Sequence, residues 1–237
     1  MGTTFDFQDG SGPVPAHKHP NGGGWVADMA YVSETAYVGP NAQVFGDARV
    51  YGNARVYGNA RVYGNAQVYG CARVYGNARV YGTAWAYDDA RVCGRASVYD
   101  DASVYGTAQV YGTAQVCGTA KVYGNVQVYG GAQVYGDARV YGNARVYGRA
   151  RVYGRARVYG DAWVYGDAWV SRTPLLVVGG RFDVNVFDTS LRAGCKWAPK
   201  DWWLGADGYE FAKANGVSDT EFDLVVMGLA RMHWAKS

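Results

Sequence analysis

The sequence predicts an all-β solenoid, a parallel β-helix, followed by a small α+β cap. Two observations carry this. Valine returns every six residues from Val26 to Val170, with Ala86 as the one substitution, so that 25 units follow one another without an insertion. Alanine stands two places before nearly every one of these valines, as at Ala48, Ala54, Ala60 and Ala66. A fixed short period sustained over this length marks a repeat architecture in which each unit buries its apolar side only against its neighbours.

The unit reads Ala-Arg-Val-Tyr-Gly-Asn. On a strand, alternate residues face the same way. Ala48 and Val50 are therefore expected inside, with Arg49 and Tyr51 outside. An interior of alanine and valine alone is narrow, and tyrosine would not fit in it. Gly52, Gly58 and Gly64 come next, where a corner needs a backbone geometry that a Cβ resists. Asn53, Asn59 and Asp47 follow, residue types that tolerate turns.

This unit resembles the hexapeptide repeat of left-handed parallel β-helices, which carry an aliphatic residue at the first place and a small one at the fifth. The resemblance implies three hexapeptides per triangular coil of 18 residues, hence about eight coils over residues 26–173. At roughly 4.8 Å per coil this would give a prism about 40 Å long. The left hand is also implied by the resemblance, since parallel crossovers are otherwise right-handed. The family contains acyltransferases, carbonic anhydrases and non-catalytic proteins, so fold alone does not choose a function.

Composition sets bounds. The 237 residues carry a formal charge of +3, with 34 glycines and 18% charged residues. The positive charge belongs to the repeats: residues 31–173 hold fifteen bases and nine acids, whereas both flanks are net acidic. No apolar run is long enough to span a membrane and no secretory signal is recognisable, so a cytoplasmic protein is expected, with no membrane partner. Cys71, Cys93, Cys117 and Cys195 show neither zinc-ligand nor disulfide spacing and read as free thiols.

Residues 1–25 are irregular and rich in glycine and proline. They are expected to lie over the open edge of the first coil, with Phe5, Phe7, Val14 and Trp25 plugging the end of the core. His17 and His19 are the two closely spaced histidines, read here as part of a capping loop. The stretch from Pro13 to Val26 also resembles the leader before such repeats in bacterial and prophage hexapeptide proteins.

With 18 residues per coil, three outer ladders are expected. They are Tyr51, Tyr69, Tyr87, Tyr105, Tyr123, Tyr141 and Tyr159; Tyr57, Tyr75, Tyr111, Tyr129, Tyr147 and Tyr165, broken by Cys93; and Phe45, Tyr63, Tyr81, Tyr99, Tyr135 and Tyr153, broken by Cys117. Such ladders shield the strands and hold the register. Alternatively they offer a flat surface to bases, sugars or apolar side chains. Arg55, Arg73 and Arg91 should stack on one face, and Arg61 and Arg79 on the next. Arginine can relieve the repulsion by lying over tyrosine or by gathering phosphates or carboxylates. Arg139, Arg145, Arg149, Arg151, Arg155 and Arg157 would form a denser belt, interleaved with Tyr147, Tyr153 and Tyr159 and tempered by Asp137, Asp161 and Asp167. This belt is the candidate binding site, either solvated or fitted to nucleic acid or another polyanion.

Residues 174–237 form the predicted cap. Pro174 ends the repeat, after Trp163 and Trp169 have replaced arginine and prepared a packing surface. Leu175–Val178 and Phe182–Val186 read as paired strands joined through Gly179-Gly180, with a third strand near Leu191–Trp197. Pro199 can open a helix carrying Trp202 and Trp203, with Gly205 and Gly208 against its continuity and Asn215-Gly216 at its end. Ser218 to Glu221 reads as a capping box before a last helix with Phe222, Val225, Val226, Leu229 and Met232 inside. This tail resembles the small domain after such repeats in prophage-associated proteins, matching at Gly194, Cys195 and Trp202. Trp197 stands where that resemblance expects a histidine, so a metal or catalytic role does not carry over.

The resembled enzymes need histidines in the coils, one as a base or three for zinc. Here His17, His19 and His233 all lie outside, and no loop interrupts the repeats. Asp88, Asp89, Asp100 and Asp101 fall at solvated corners. Ice binding would need threonine ranks on one face, whereas Thr107, Thr113 and Thr119 occupy successive corners. The expectation is therefore a protein without catalytic residues, metal or cofactor. It is a scaffold presenting Tyr/Arg ladders to a macromolecule: a protein in a phage–host setting, a polyanion, or further copies of itself.

Overall fold

A computed structural model describes residues 3–172, 175–177, 184–186, 190–193, 196–222 and 230. The repeats wind into a solenoid of about eight stacked coils with three flat sheets. Each unit contributes a two-residue strand, such as Arg55–Val56, Arg61–Val62 or Gln67–Val68. Strands pair in parallel with those 18 residues away: Arg55 lies beside Arg73, and Arg73 beside Arg91. The N–H of Arg55 donates to the carbonyl of Ala72 at 2.9 Å and that of Tyr57 to Val74 at 3.0 Å, a pattern repeated through the coils. The first face contains Gln43, Arg61 and Arg79; the second Arg49, Gln67 and Trp85; the third Arg55, Arg73 and Arg91.

The interior is the predicted one. Valines and alanines from Val38 through Val158 are fully excluded from solvent and form one continuous cluster. Ala86 sits in the same row as Val68 and Val104, with Trp85 pointing out beside it. Burying a valine contributes about 1.5–3 kcal/mol, so stacked rows of them carry the tube.

Corners repeat as faithfully as faces. Asn59 Nδ2 donates to Asn77 at 3.4 Å, Asn125 to Asn143 at 3.2 Å and Asn143 to Asp161 at 3.0 Å. Thr83 and Thr119 donate to Asp101 and Asp137 one coil on. Asp88 and Asp100 take the left-handed backbone usually held by glycine, each at φ 56°. Their carboxylates accept the N–H of Gly106 at 3.2 Å and of Gly118 at 3.1 Å. These are the exposed corner acids expected from sequence.

The N-terminal segment differs from expectation in one respect. Trp25–Ala27 joins the first face in parallel beside Gln43–Val44, and Pro13–Lys18 and then Thr4–Asp6 add to it as antiparallel strands, so they do cover its open edge. Phe5, Phe7, Val14 and Trp25, however, do not plug the bore. They pack on the outside, where Phe7 stacks on Phe45 at 4.7 Å and Phe5 on Trp25 at 4.3 Å. The bore is already filled by valine and alanine, so these rings join the end of the third ladder instead. Asn21 and Gly24 cover the edge of the third face through Val38. His17 pairs with Asp28 at 2.8 Å, whereas His19 is buried with its Nδ1 3.2 Å from the Asn21 carbonyl.

The C-terminal segment contains a four-stranded antiparallel sheet: Leu175–Val177, Val184–Val186, Ser190–Ala193 and Lys196–Pro199. The single strand expected near Leu191–Trp197 is thus two strands of a hairpin. Lys200–Leu204 and Ala206–Ala214 are helices, broken at Gly205 and ended at Asn215-Gly216 as predicted. Trp203 is buried and its Nε1 donates to the Leu191 carbonyl at 2.8 Å, tying helix to sheet. Asp219–Phe222 begins the last expected helix. Pro174, Gly179-Gly180, Phe182, Gly194, Cys195, His233 and the inner residues Val225, Val226, Leu229 and Met232 lie outside the described residues, as does the side chain of Trp197.

Gly112 holds φ +70°, and a Cβ there would sit 2.9 Å from the backbone nitrogen of Gly130. Gly131 has no positive φ, and its nearest neighbour would be 3.4 Å away. Gly112→Ala is expected to destabilise by about 1–3 kcal/mol, and Gly131→Ala by no more than about 0.5 kcal/mol. Thermal unfolding followed by circular dichroism checks the pair, and equal midpoints would contradict the corner geometry.

Candidate functional site

The outer surface is built by the same repeat. Along the three ladders, successive rings stack with centroids 4.8–5.3 Å apart and planes within 15° of parallel. Every predicted ladder neighbour meets its partner. The reading of the ladders as a flat platform for bases or sugars is corrected by their direction. The stacks run along the solenoid, so a ring between two others has both faces covered, whereas Tyr75, Tyr111, Tyr99 and Tyr135 have a ring on one side and the place of Cys93 or Cys117 on the other. Solvent meets ring edges and hydroxyls. Some hydroxyls are already used: Tyr51 donates to Gln67 at 3.2 Å and Tyr99 to Gln115 at 3.4 Å. Tyr159, which stacks on Tyr141 at 5.3 Å, is 48% exposed.

The stacking changes the acidity of the phenols. Tyr87 is pushed up to about 12, first by burial and then by Tyr105, Tyr69 and Asp88. Tyr75 rises to about 12 mainly through a hydrogen bond with Cys93, and Tyr99 rises through one with Cys117. Burial in turn pushes the Cys117 thiol up. Cys71, Cys93 and Cys117 are free thiols.

The six belt arginines do not act as one belt. Arg145 lies over Trp163 and Arg151 over Trp169, each at 5.0 Å, on the third and first faces. The last-coil tryptophans thus serve as lids for guanidinium groups, in the way that Arg55 covers Tyr37 and Arg61 covers Phe45 at 5.0 and 4.8 Å. Arg149 is at the corner between these two faces and exposed. Tyr147 stacks on Tyr129 and Tyr165, and Tyr153 on Tyr135.

Arg139 and Arg157 belong to the second face, side by side in register. They are joined there by Lys121, which pairs with Arg139 from the other side. Arg155 approaches from the adjoining corner. Together with Thr119 and Asp137, these four cations line a groove of about 390 Å³. Among the described residues none of the four pairs with a carboxylate or lies over an aromatic ring. Asp137 is engaged by the Thr119 hydroxyl instead. Lys121 was missed by sequence reading because the belt was drawn from local arginine density. The signal was present in the 18-residue register, which places residues 121, 139 and 157 in one column.

Among the described residues no group of three or more histidine, cysteine or acidic side chains is placed to hold a metal. No helix among them is long and apolar enough to cross a membrane.

With this geometry in view, a family model agrees with the architecture. Residues 42–56, 54–70, 72–88, 132–148, 150–166 and 156–172 match the family model described as YdcK Beta solenoid repeat. All six matches fall within the coils, and the chain is a solenoid repeat protein. No curated protein and no solved structure matches it.

The raised tyrosines give a pH dependence. An unfolded tyrosine titrates near 10, so a folded ring held at about 12 keeps its proton longer. The stability this contributes is complete below pH 10 and is lost as pH rises through about 12. Tyrosinate absorbance should show a fraction, that of Tyr75 and Tyr87, ionising above pH 10 toward about 12, with β-signal lost by circular dichroism over the same range. Ordinary titration near 10 with the β-signal intact would contradict the stacked environment.

Proposed function

We propose that this protein is a non-catalytic scaffold, a left-handed solenoid of the hexapeptide type. It works in the cytoplasm by holding one ladder face against a macromolecular partner, with a host protein in a phage or prophage setting as the leading partner. The observation that carries this reading is the unbroken repetition of the outer surface. No loop interrupts the units from Val26 to Val170, and no histidine lies in them. A site for chemistry needs a unique constellation, whereas a docking surface gains from a rigid array. The resemblance to hexapeptide proteins supports the hand and the setting.

A docking surface is one-sided, so three variants test it. The first replaces Arg79 and Arg151 with Gln, the second Arg49, Lys121, Arg139 and Arg157, and the third Arg55, Arg73, Arg91 and Arg145. Glutamine already occupies this repeat place at Gln43, Gln67 and Gln109. Capture from host lysate, read by mass spectrometry, should yield a partner that one variant loses and the other two keep. Identical capture by all three contradicts docking through the arginine ladders. Turnover of an acyl thioester or of carbon dioxide by the purified chain contradicts the non-catalytic reading. Light scattering on the same sample separates a foreign partner from self-association.

A further inference from the structure

Resting on the scaffold reading and narrowing it, we infer that the second face is a binding rail for an acidic polysaccharide bearing carboxylate or sulfate groups. The rail consists of Lys121, Arg139 and Arg157 in one column, with Arg155 at its side.

Three features taken together mark this cluster; Arg73, Arg79 and Arg91 share the first of them. First, its charges are uncompensated. Arg55, Arg61, Arg145 and Arg151 each lie over an aromatic ring. Lys121, Arg139, Arg155 and Arg157 have neither ring nor carboxylate among the described residues. Parallel pairing holds like charges one strand spacing apart, a destabilising arrangement that a bound anion relieves. Second, the column is straight and rigid, because its rungs are set by the buried valines Val122, Val140 and Val158 behind them. A polymer with one anionic group per rung meets preorganised partners, and the guanidinium fork suits carboxylate and sulfate alike. Third, Thr119 and Asp137 line the same groove. A carboxylate there accepts hydrogen bonds from sugar hydroxyls, which a DNA backbone lacks.

Nucleic acid fits this surface less well. Sequence-tolerant single-strand binding relies on exposed aromatic faces on which bases stack. Here the inner rings of the ladder beside the rail, from Tyr105 to Tyr141, present edges, because each is sandwiched by its neighbours at 4.8–5.3 Å. At the end of its ladder, next to Arg157, Tyr159 is 48% exposed. One such ring suits a sugar lying across the end of the rail better than a run of bases.

The test measures binding of the full chain to polygalacturonate, heparin and single-stranded oligothymidylate at low and rising salt. Wild type is compared with a Lys121→Gln/Arg139→Gln/Arg157→Gln variant and an Arg55→Gln/Arg73→Gln/Arg91→Gln variant. Both variants lose three charges, and circular dichroism verifies that each keeps its coils. The proposal expects at least one polysaccharide to bind more tightly than oligothymidylate. Polygalacturonate identifies the carboxylate form and heparin the sulfate form. The second-face variant should lose about tenfold or more in affinity and show a shallower salt dependence, by about one unit of slope per cation removed. The third-face variant should bind as wild type does. Tighter binding of oligothymidylate, equal loss in both variants, or no polysaccharide binding at low salt would each overturn it. A chain that captures a protein partner through one face yet ignores all three polymers would refute the rail and leave the scaffold standing.

Discussion

The width of the tube governs everything else in this molecule. Two inward places per unit are held by alanine and valine, and neither leaves room for a ring or a charge. Because the inside is fixed at that width, each coil must close in 18 residues, and every outward residue falls in line with its counterpart one coil away. The ladders of rings, amides and guanidinium groups are consequences of that register. As in other solenoids, no coil has a core of its own, and stability is shared between neighbours.

A copied surface places like beside like, and the molecule handles this differently for each side chain. Rings gain from it, since parallel stacking removes apolar area from water. Amides gain as well, passing hydrogen bonds from coil to coil. Guanidinium groups do not, and several escape by lying over a ring. Arg73 and Arg91 on the third face go without this relief, and so does the second face near Arg139, where four such cations line one groove. Sites that keep an unfavourable local arrangement are where function is expected to enter.

Much of this was legible beforehand, for a physical reason. Six-residue spacing states burial directly, so Ala48, Val50, Arg49 and Tyr51 could each be assigned a side, and adding 18 gave every ladder neighbour. Less was legible where repetition stops. Phe5 and Phe7 are apolar, and apolarity alone does not tell whether a ring enters a bore or packs outside it. The pairing of Ser190–Ala193 with Lys196–Pro199 was hidden because the stretch reads as one short apolar-polar run. Of the site, the arginines were visible but their grouping was not: Arg145 and Arg151 went to the tryptophans of the last coil, and Lys121 joined from a coil poor in arginine. Alternation also said that tyrosines point outward, without saying that their faces would be covered.

The 18-residue closure can be probed by cysteine cross-linking in a chain whose native cysteines are replaced by serine. Gln109 and Gln127 are adjacent rungs of the third face, whereas Gln133 belongs to the first. Neighbouring strands lie about 4.8 Å apart, within the span of a disulfide. Gln109→Cys with Gln127→Cys should therefore oxidise readily to an intramolecular disulfide, and Gln109→Cys with Gln133→Cys should stay reduced. Cross-linking of the second pair, or failure of the first in a chain that retains its β-signal, would contradict the register on which the account rests.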